Sequence, residues 1–157
     1  MTNLRTKLDS WVRQYGDRLG KMFYLNDGVC SVKDASGQEY VVDLPENSTD
    51  VYFCAPIAVM NDTASKAEDF EQVLKWNLWG HETQGGTLSF DEATQRIIFH
   101  KTLSMEDLDE NRFADEFSHF IGSVLHIKEL WENYKQTGDN TVGVGGEDEA
   151  MDPLFRI

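Results

Sequence analysis

Residues Val51 to Val59 (VYFCAPIAV) are apolar on both alternating faces of an extended chain. A strand of that kind is stable only well inside a sheet, so the molecule must be built around this segment. The residues before it supply the neighbours. Val29 to Lys33 alternates, with Cys30 and Val32 on one face and Val29, Ser31 and Lys33 on the other. Gln38 to Leu44 alternates again, with Tyr40, Val42 and Leu44 together. Asn26-Asp27-Gly28, Asp34-Ala35-Ser36-Gly37 and the polar stretch Pro45 to Asp50 separate these runs with turn chemistry. Three antiparallel strands follow. Pro56 has no amide hydrogen, so it must end regular pairing or sit at a bulge. Thr87 to Phe90 and Arg96 to Leu103, joined by a polar loop, predict a second hairpin.

Three stretches carry the helical period instead. Leu4, Leu8, Trp11, Val12, Tyr15 and Leu19 form one stripe over residues 3 to 19, and Gly20 is a fitting stop. Ser65-Lys66-Ala67-Glu68 has the spacing of a capping box and predicts a helix over 65 to 79. Its second half is apolar nearly all round, so it lies deep in a core or under a second chain. The acids of residues 104 to 109 suit a helix start. Phe113, Phe117, Phe120, Ile121, Val124, Ile127, Trp131 and Tyr134 then continue one stripe to about Gln136. The order α-β-β-β-α-β-β-α, with hairpins dominant, predicts an α+β domain over residues 1 to 136 with a five-stranded, mainly antiparallel sheet. From Thr137 large apolar groups thin out among glycines and acids, so residues 137 to 157 read as a disordered acidic tail. Leu154, Phe155 and Ile157 at its end offer a second expectation, that the tail folds back into an apolar groove.

Charge narrows the function. Lys and Arg number 14 against 28 Asp and Glu, a formal charge of −14. Such a chain is a poor match for nucleic acid, which is gripped by cations that displace counterions, and for anionic lipid. It has no apolar run long enough for a transmembrane helix, and the opening stretch predicts no secretory signal. Cys30 and Cys54 read as reduced thiols, unreactive because apolar strands raise a thiol's pKa. No phosphate-binding glycine loop or Gly-x-Ser-x-Gly elbow occurs. Glu116-x-x-His119 lacks the second copy that a di-metal site requires. Asp107-x-Asp109-x-Asn111 imitates a calcium loop but has Arg112 and Ser118 where Gly and Glu belong. Neither catalysis, metal nor cofactor is expected.

What remains is surface. One sheet in a domain of this size has one face for its helices, and the other must be covered by something or left exposed. A second subunit and an extended peptide added along an open sheet edge would satisfy that need. A small α+β ligand-binding protein or enzyme with a closed apolar pocket is the rival reading.

Two local patterns and their order now matter. Asn26-Asp27-Gly28-Val29-Cys30-Ser31 is a turn leading into a strand, and Leu74-Lys75-Trp76-Asn77-Leu78-Trp79 closes a helix. Gly85-Gly86, the strand with Leu88, Phe90 and Asp91, and the apolar strand with Ile97 and Ile98 follow. In sequence and spacing these resemble the class I type III secretion chaperones of the Tir chaperone (CesT) family, over about residues 3 to 136. The resemblance implies a homodimer in the bacterial cytoplasm that is not an enzyme and uses no cofactor. It would bind the N-terminal region of one or more effector proteins as an extended chain, keep it soluble, and deliver it to the secretion ATPase and export apparatus. It implies an effector surface at Leu4, Leu8, Trp11, Val12, Cys30, Val32, Tyr40 and Val42. It places the dimer interface at Phe70, Val73, Leu74, Trp76, Leu78 and Leu88. On this reading Trp11→Ala would weaken effector binding and spare the dimer.

Overall fold

The computed structural model describes residues 2–137. Its elements are α1 (Thr2–Arg18), β1 (Val29–Lys33), β2 (Glu39–Asp43), β3 (Asp50–Val59), α2 (Lys66–Asn77), β4 (Thr87–Asp91), β5 (Arg96–Ser104) and α3 (Glu110–Thr137). Short 3-10 turns follow α2 (Leu78–Gly80) and β5 (Met105–Asp107). The expected α+β order is therefore present. All pairings are antiparallel, and the strands lie in the order β1-β2-β3-β5-β4. The doubly apolar strand β3 is central, while β1 and β4 are the edges. Two units divide the chain, Met1–Ile127 and Lys128–Ile157. Within the second, residues 128–137 are helical, and the Lys135 ammonium lies 5.1 Å from the Trp131 ring. The expectation of a disordered acidic tail, and of Leu154, Phe155 and Ile157 returning to a groove, falls on residues outside those described, Thr137 excepted.

One face of the sheet is the core. Tyr40, Val42, Val51, Phe53, Ala55, Leu88, Ile97 and Phe99 are all buried there. Phe53 at its middle meets Phe113, Phe117 and Phe120 of α3 at ring separations of 5.8, 5.2 and 5.6 Å. Tyr15 of α1 joins them, 5.1 Å from Phe117 and nearly perpendicular to it. Each such aromatic contributes about 1.5–3 kcal/mol through burial and somewhat more through ring geometry. On the opposite face Val41, Tyr52, Cys54, Pro56 and Ile98 remain half-exposed.

Pro56 sits at an irregularity, where the register of β3 against β5 shifts between Pro56 and Ala58. The buried amide of Gln38 donates to the Pro56 carbonyl at 2.9 Å and so keeps it satisfied. α1 ends as its glycine suggests. Lys21 N–H donates to the Gly16 carbonyl and Gly20 N–H to that of Asp17, with Gly20 at φ +69°, the hydrogen-bond pattern of a Schellman cap.

Three boundary expectations need correction. The capping box does not form: Ser65 makes no side-chain cap bond, and its hydroxyl donates to the Asp69 carboxylate at 3.1 Å. Ser65 itself has helical backbone angles, which turn its side chain away from the free amides. α2 stops at Asn77 rather than at residue 79, because Trp79 and Gly80 both take positive φ. The acids of residues 104 to 109 form a 3-10 turn, not the first turn of α3. Asp109 then accepts from Arg112 N–H at 2.7 Å and starts the helix at Glu110.

Candidate functional site

Beyond α1 the chain runs back along the sheet edge as Lys21 to Leu25. Gly16 makes this possible: a Cβ there would lie 2.7 Å from the Lys21 carbonyl and 2.9 Å from the Phe23 ring. Leu25 N–H donates to Asp9 at 2.8 Å, and Asn26 and Val29 exchange backbone hydrogen bonds of 2.8 and 3.0 Å that close the turn into β1. Burial tends to raise the Asp9 pKa. The Arg13 guanidinium and the Leu25 amide outweigh it and hold the carboxyl below its ordinary value. Between this segment and β1 lies a groove of about 320 Å³, lined by Met22, Phe23, Tyr24, Asn26, Val29, Cys30, Ser31 and Val32. Met22 is 84% exposed. The Arg13 guanidinium stands 5.8 Å over the Tyr24 ring.

The groove runs beside an edge strand with backbone to offer. Gly28 O accepts from Leu44 N–H, and Val29 is paired with Asn26. In that alternation Ser31 and Lys33 turn their amides and carbonyls away from β2, toward the open side.

A second apolar surface surrounds α2 and β4. Phe70 meets the Phe90 ring at 4.9 Å, and a groove of about 410 Å³ is lined by Phe70, Val73, Leu74, Leu88, Phe90 and Ile97. Leu74 in its lining is exposed, as are Leu78 and Trp79 just after α2 and Val59 at the end of β3. Trp79 is held at φ +64°, an unfavourable backbone for a bulky residue, and the residue is 69% exposed. The β4 edge is occupied from within: Asn77 Nδ2 donates to the Leu88 carbonyl at 2.8 Å, and Leu88 N–H donates to Asn77 Oδ1 at 2.9 Å.

The predicted site residues divide accordingly. In the effector set, Cys30 and Val32 line the β1 groove and Leu4 is half-buried. Leu8, Trp11, Val12, Tyr40 and Val42 are buried in the chain's own core. Trp11 packs against Phe113 at a ring separation of 6.0 Å. The same alternation that marks an apolar face cannot say whether a helix of the same chain covers it. In the dimer set, Leu74 and Leu78 are exposed and Phe70 half-buried, while Val73, Trp76 and Leu88 are core. Met22, Phe23 and Tyr24 were missed as groove residues and Trp79 and Val59 as exposed ones. The run Met22 to Leu25 was visible in the sequence, but nothing in it says on which side the chain returns.

Among the described residues, reactive groups do not converge. Burial pushes the thiols of Cys30 and Cys54 up, away from the nucleophilic form. His126 faces Glu82 at 3.1 Å, His119 the Gln84 carbonyl at 3.4 Å, and His100 the Ser89 hydroxyl at 2.7 Å. These pairs brace the α2–β4 loop and the last hairpin. Among the described residues no cluster of three metal-ligating side chains occurs. The apolar pocket under α1, lined by Val12, Tyr15, Phe23, Val42 and Phe117, encloses only about 10 Å³. Ligand cavities typically run to several hundred Å³.

The described residues form an α+β domain with apolar grooves at its sheet margins, surfaces of a kind that suits binding another polypeptide. The family model described as the Tir chaperone protein (CesT) family matches residues 11–128, and the chain belongs to that family. As a member it is a type III secretion chaperone, a binding protein rather than an enzyme. No curated protein sequence matches it significantly. Among solved structures, a chain of the ExsC–ExsE complex is similar at 16% identity and a TM-score of 0.66, with 83% of this chain and 94% of that one covered. A chain of the HopA1–SchA chaperone–effector complex gives 13%, 0.64, 85% and 97%. A chain of the heterodimeric ExoU–SpcU complex from the type III secretion system of Pseudomonas aeruginosa gives 15%, 0.58, 78% and 93%. At such identities the likeness is one of fold.

Proposed function

We propose that two copies of this chain form a chaperone in the bacterial cytoplasm, holding the N-terminal region of a secreted effector as an extended segment. The effector segment lies in the groove between Lys21–Leu25 and β1 and pairs with the outward-facing backbone of Ser31 and Lys33. The observation that carries this reading is the juxtaposition of an open edge strand with an apolar groove. Backbone pairing supplies register, and the groove takes alternate side chains. Cys30 and Val32 form its floor, while Leu8, Trp11, Val12, Tyr40 and Val42 hold that floor in place from behind.

Energetics favour a long footprint. Ordering a flexible segment costs about 1–2 kcal/mol per residue, while apolar burial returns about 25 cal/mol per Å². A single groove of this size cannot offset many ordered residues, so affinity must accumulate along an extended path. The second copy docks through Leu74, Leu78, Trp79 and the Phe70–Phe90 surface. The loaded dimer then hands its client to the export apparatus and its ATPase.

The test is co-expression with N-terminal segments of secreted proteins encoded in the same genome, followed by light-scattering mass measurement. The expected result is two chaperone chains per client segment, with exchange protection at Ser31 and Lys33. A monomer that binds none of these segments would overturn the reading.

A further inference from the structure

The two edges of the sheet are treated differently, and the difference rests on one side chain. β4 is an edge strand, so residues facing away from β5 would present free amides and carbonyls to any passing strand. By the register of β4 against β5, Leu88 and Phe90 are such residues; both backbone groups of Leu88 are taken by the Asn77 carboxamide, which leaves Phe90 as the outward position of β4 with no such clasp among the described residues. A carboxamide carries a donor and an acceptor side by side, as a peptide group does. Asn77 thus reproduces the two bonds that a neighbouring strand would make at this position. It can do so because α2 ends there: Leu78 leaves the helix with extended angles, φ −63° and ψ 124°, and Asn77 stands at the last turn beside β4. At β1 the outward positions Ser31 and Lys33 have no counterpart of this clasp on the neighbouring turn, where Asn26 engages Val29 alone.

We propose that Asn77 is a surrogate strand that takes the Leu88 position of β4, leaves Phe90 alone open there, and so directs strand addition in this chaperone to β1, where Ser31 and Lys33 are successive outward positions. The inference concerns β4 and stands whether or not β1 proves to be the client edge. Without Asn77, Leu88 and Phe90 together offer an open edge beside the surface at which the second copy docks, and further copies of the chain pair through it.

The experiment compares the full chain with Asn77→Ala and with Asn77→Ala/Thr87→Lys. Thr87 is exposed at the start of β4, and a lysine there discourages edge pairing without restoring the clasp. Hydrogen exchange at the Leu88 amide is expected to quicken at least tenfold in both variants. Sedimentation velocity is expected to show larger species for Asn77→Ala than for the parent, and the parent distribution again when Thr87→Lys is added. A variant that merely lost stability would not be restored by a surface lysine. If Asn77→Ala fails to fold, Asn77→Asp is used with the same readouts, since it keeps an acceptor for Leu88 N–H and loses the donor. A folded variant that forms no larger species, or larger species indifferent to Thr87→Lys, overturns the proposal.

Discussion

Trp11 illustrates how a residue's role depends on what covers it. Its stripe position and size made it a candidate contact for a partner, yet its ring lies against Phe113 and is 8% exposed. Trp11→Ala is therefore expected to cost about 3–5 kcal/mol of stability by leaving a cavity under α1, measured by denaturant unfolding. Asp34 shows a second role, invisible in a turn sequence. Its carboxylate accepts from the Ser36 hydroxyl, from the Ser36 and Gln38 amides, and from Tyr40 Oη at 3.2 Å. The Ser36 hydroxyl is the chief reason its pKa lies below the ordinary value. Burial, and then Asp34 beside it, push Tyr40 up to about 12. The signs differ in consequence. Asp34 binds its proton less readily when folded, so its contribution is present above about pH 4 and lost as pH falls further. Tyr40 holds its proton more readily when folded, so its contribution is complete below about pH 10 and lost toward pH 12. Asp34→Asn should flatten the acid limb of a stability–pH profile, and Tyr40→Phe the alkaline limb.

Among elements, the strands were the most legible. Alternation placed β1, β2, β4 and β5 within a residue or so of their observed bounds, because a pleated strand buries every second side chain. Helix ends were less legible, because they depend on backbone angles that compete locally. Ser65 had the right spacing for a cap and the wrong conformation. Asn77-Leu78-Trp79 looked like more helix and is a turn under strain. The segment between α1 and β1 was the least legible, since an apolar run without a period does not reveal its path. It is nevertheless the element on which client binding should depend most. Met22→Glu places a charge at an exposed groove position without touching the core. It is expected to weaken binding of an effector segment at least tenfold by titration calorimetry while the melting temperature stays unchanged. Leu74→Glu with Leu78→Glu should instead yield monomers in light scattering, because both residues are exposed on the α2 surface.

At the scale of the molecule, the family and the strand-helix order were readable, whereas which apolar side chains stay exposed was not. Patterning reports which side chains seek burial, and packing then decides how many are already satisfied within one chain. Here α1 and α3 satisfy most of them, leaving the margins of the sheet. The net charge of −14 adds a long-range field to that arrangement. It should speed association with a basic client segment, so the on-rate is expected to fall as salt rises from low to physiological ionic strength, read by stopped-flow fluorescence. The tight contact at Gly16 has a further effect. Because no methyl group fits there without displacing Lys21 or Phe23, the returning segment lies directly against α1, and one bank of the channel is anchored to the helix rather than left to swing.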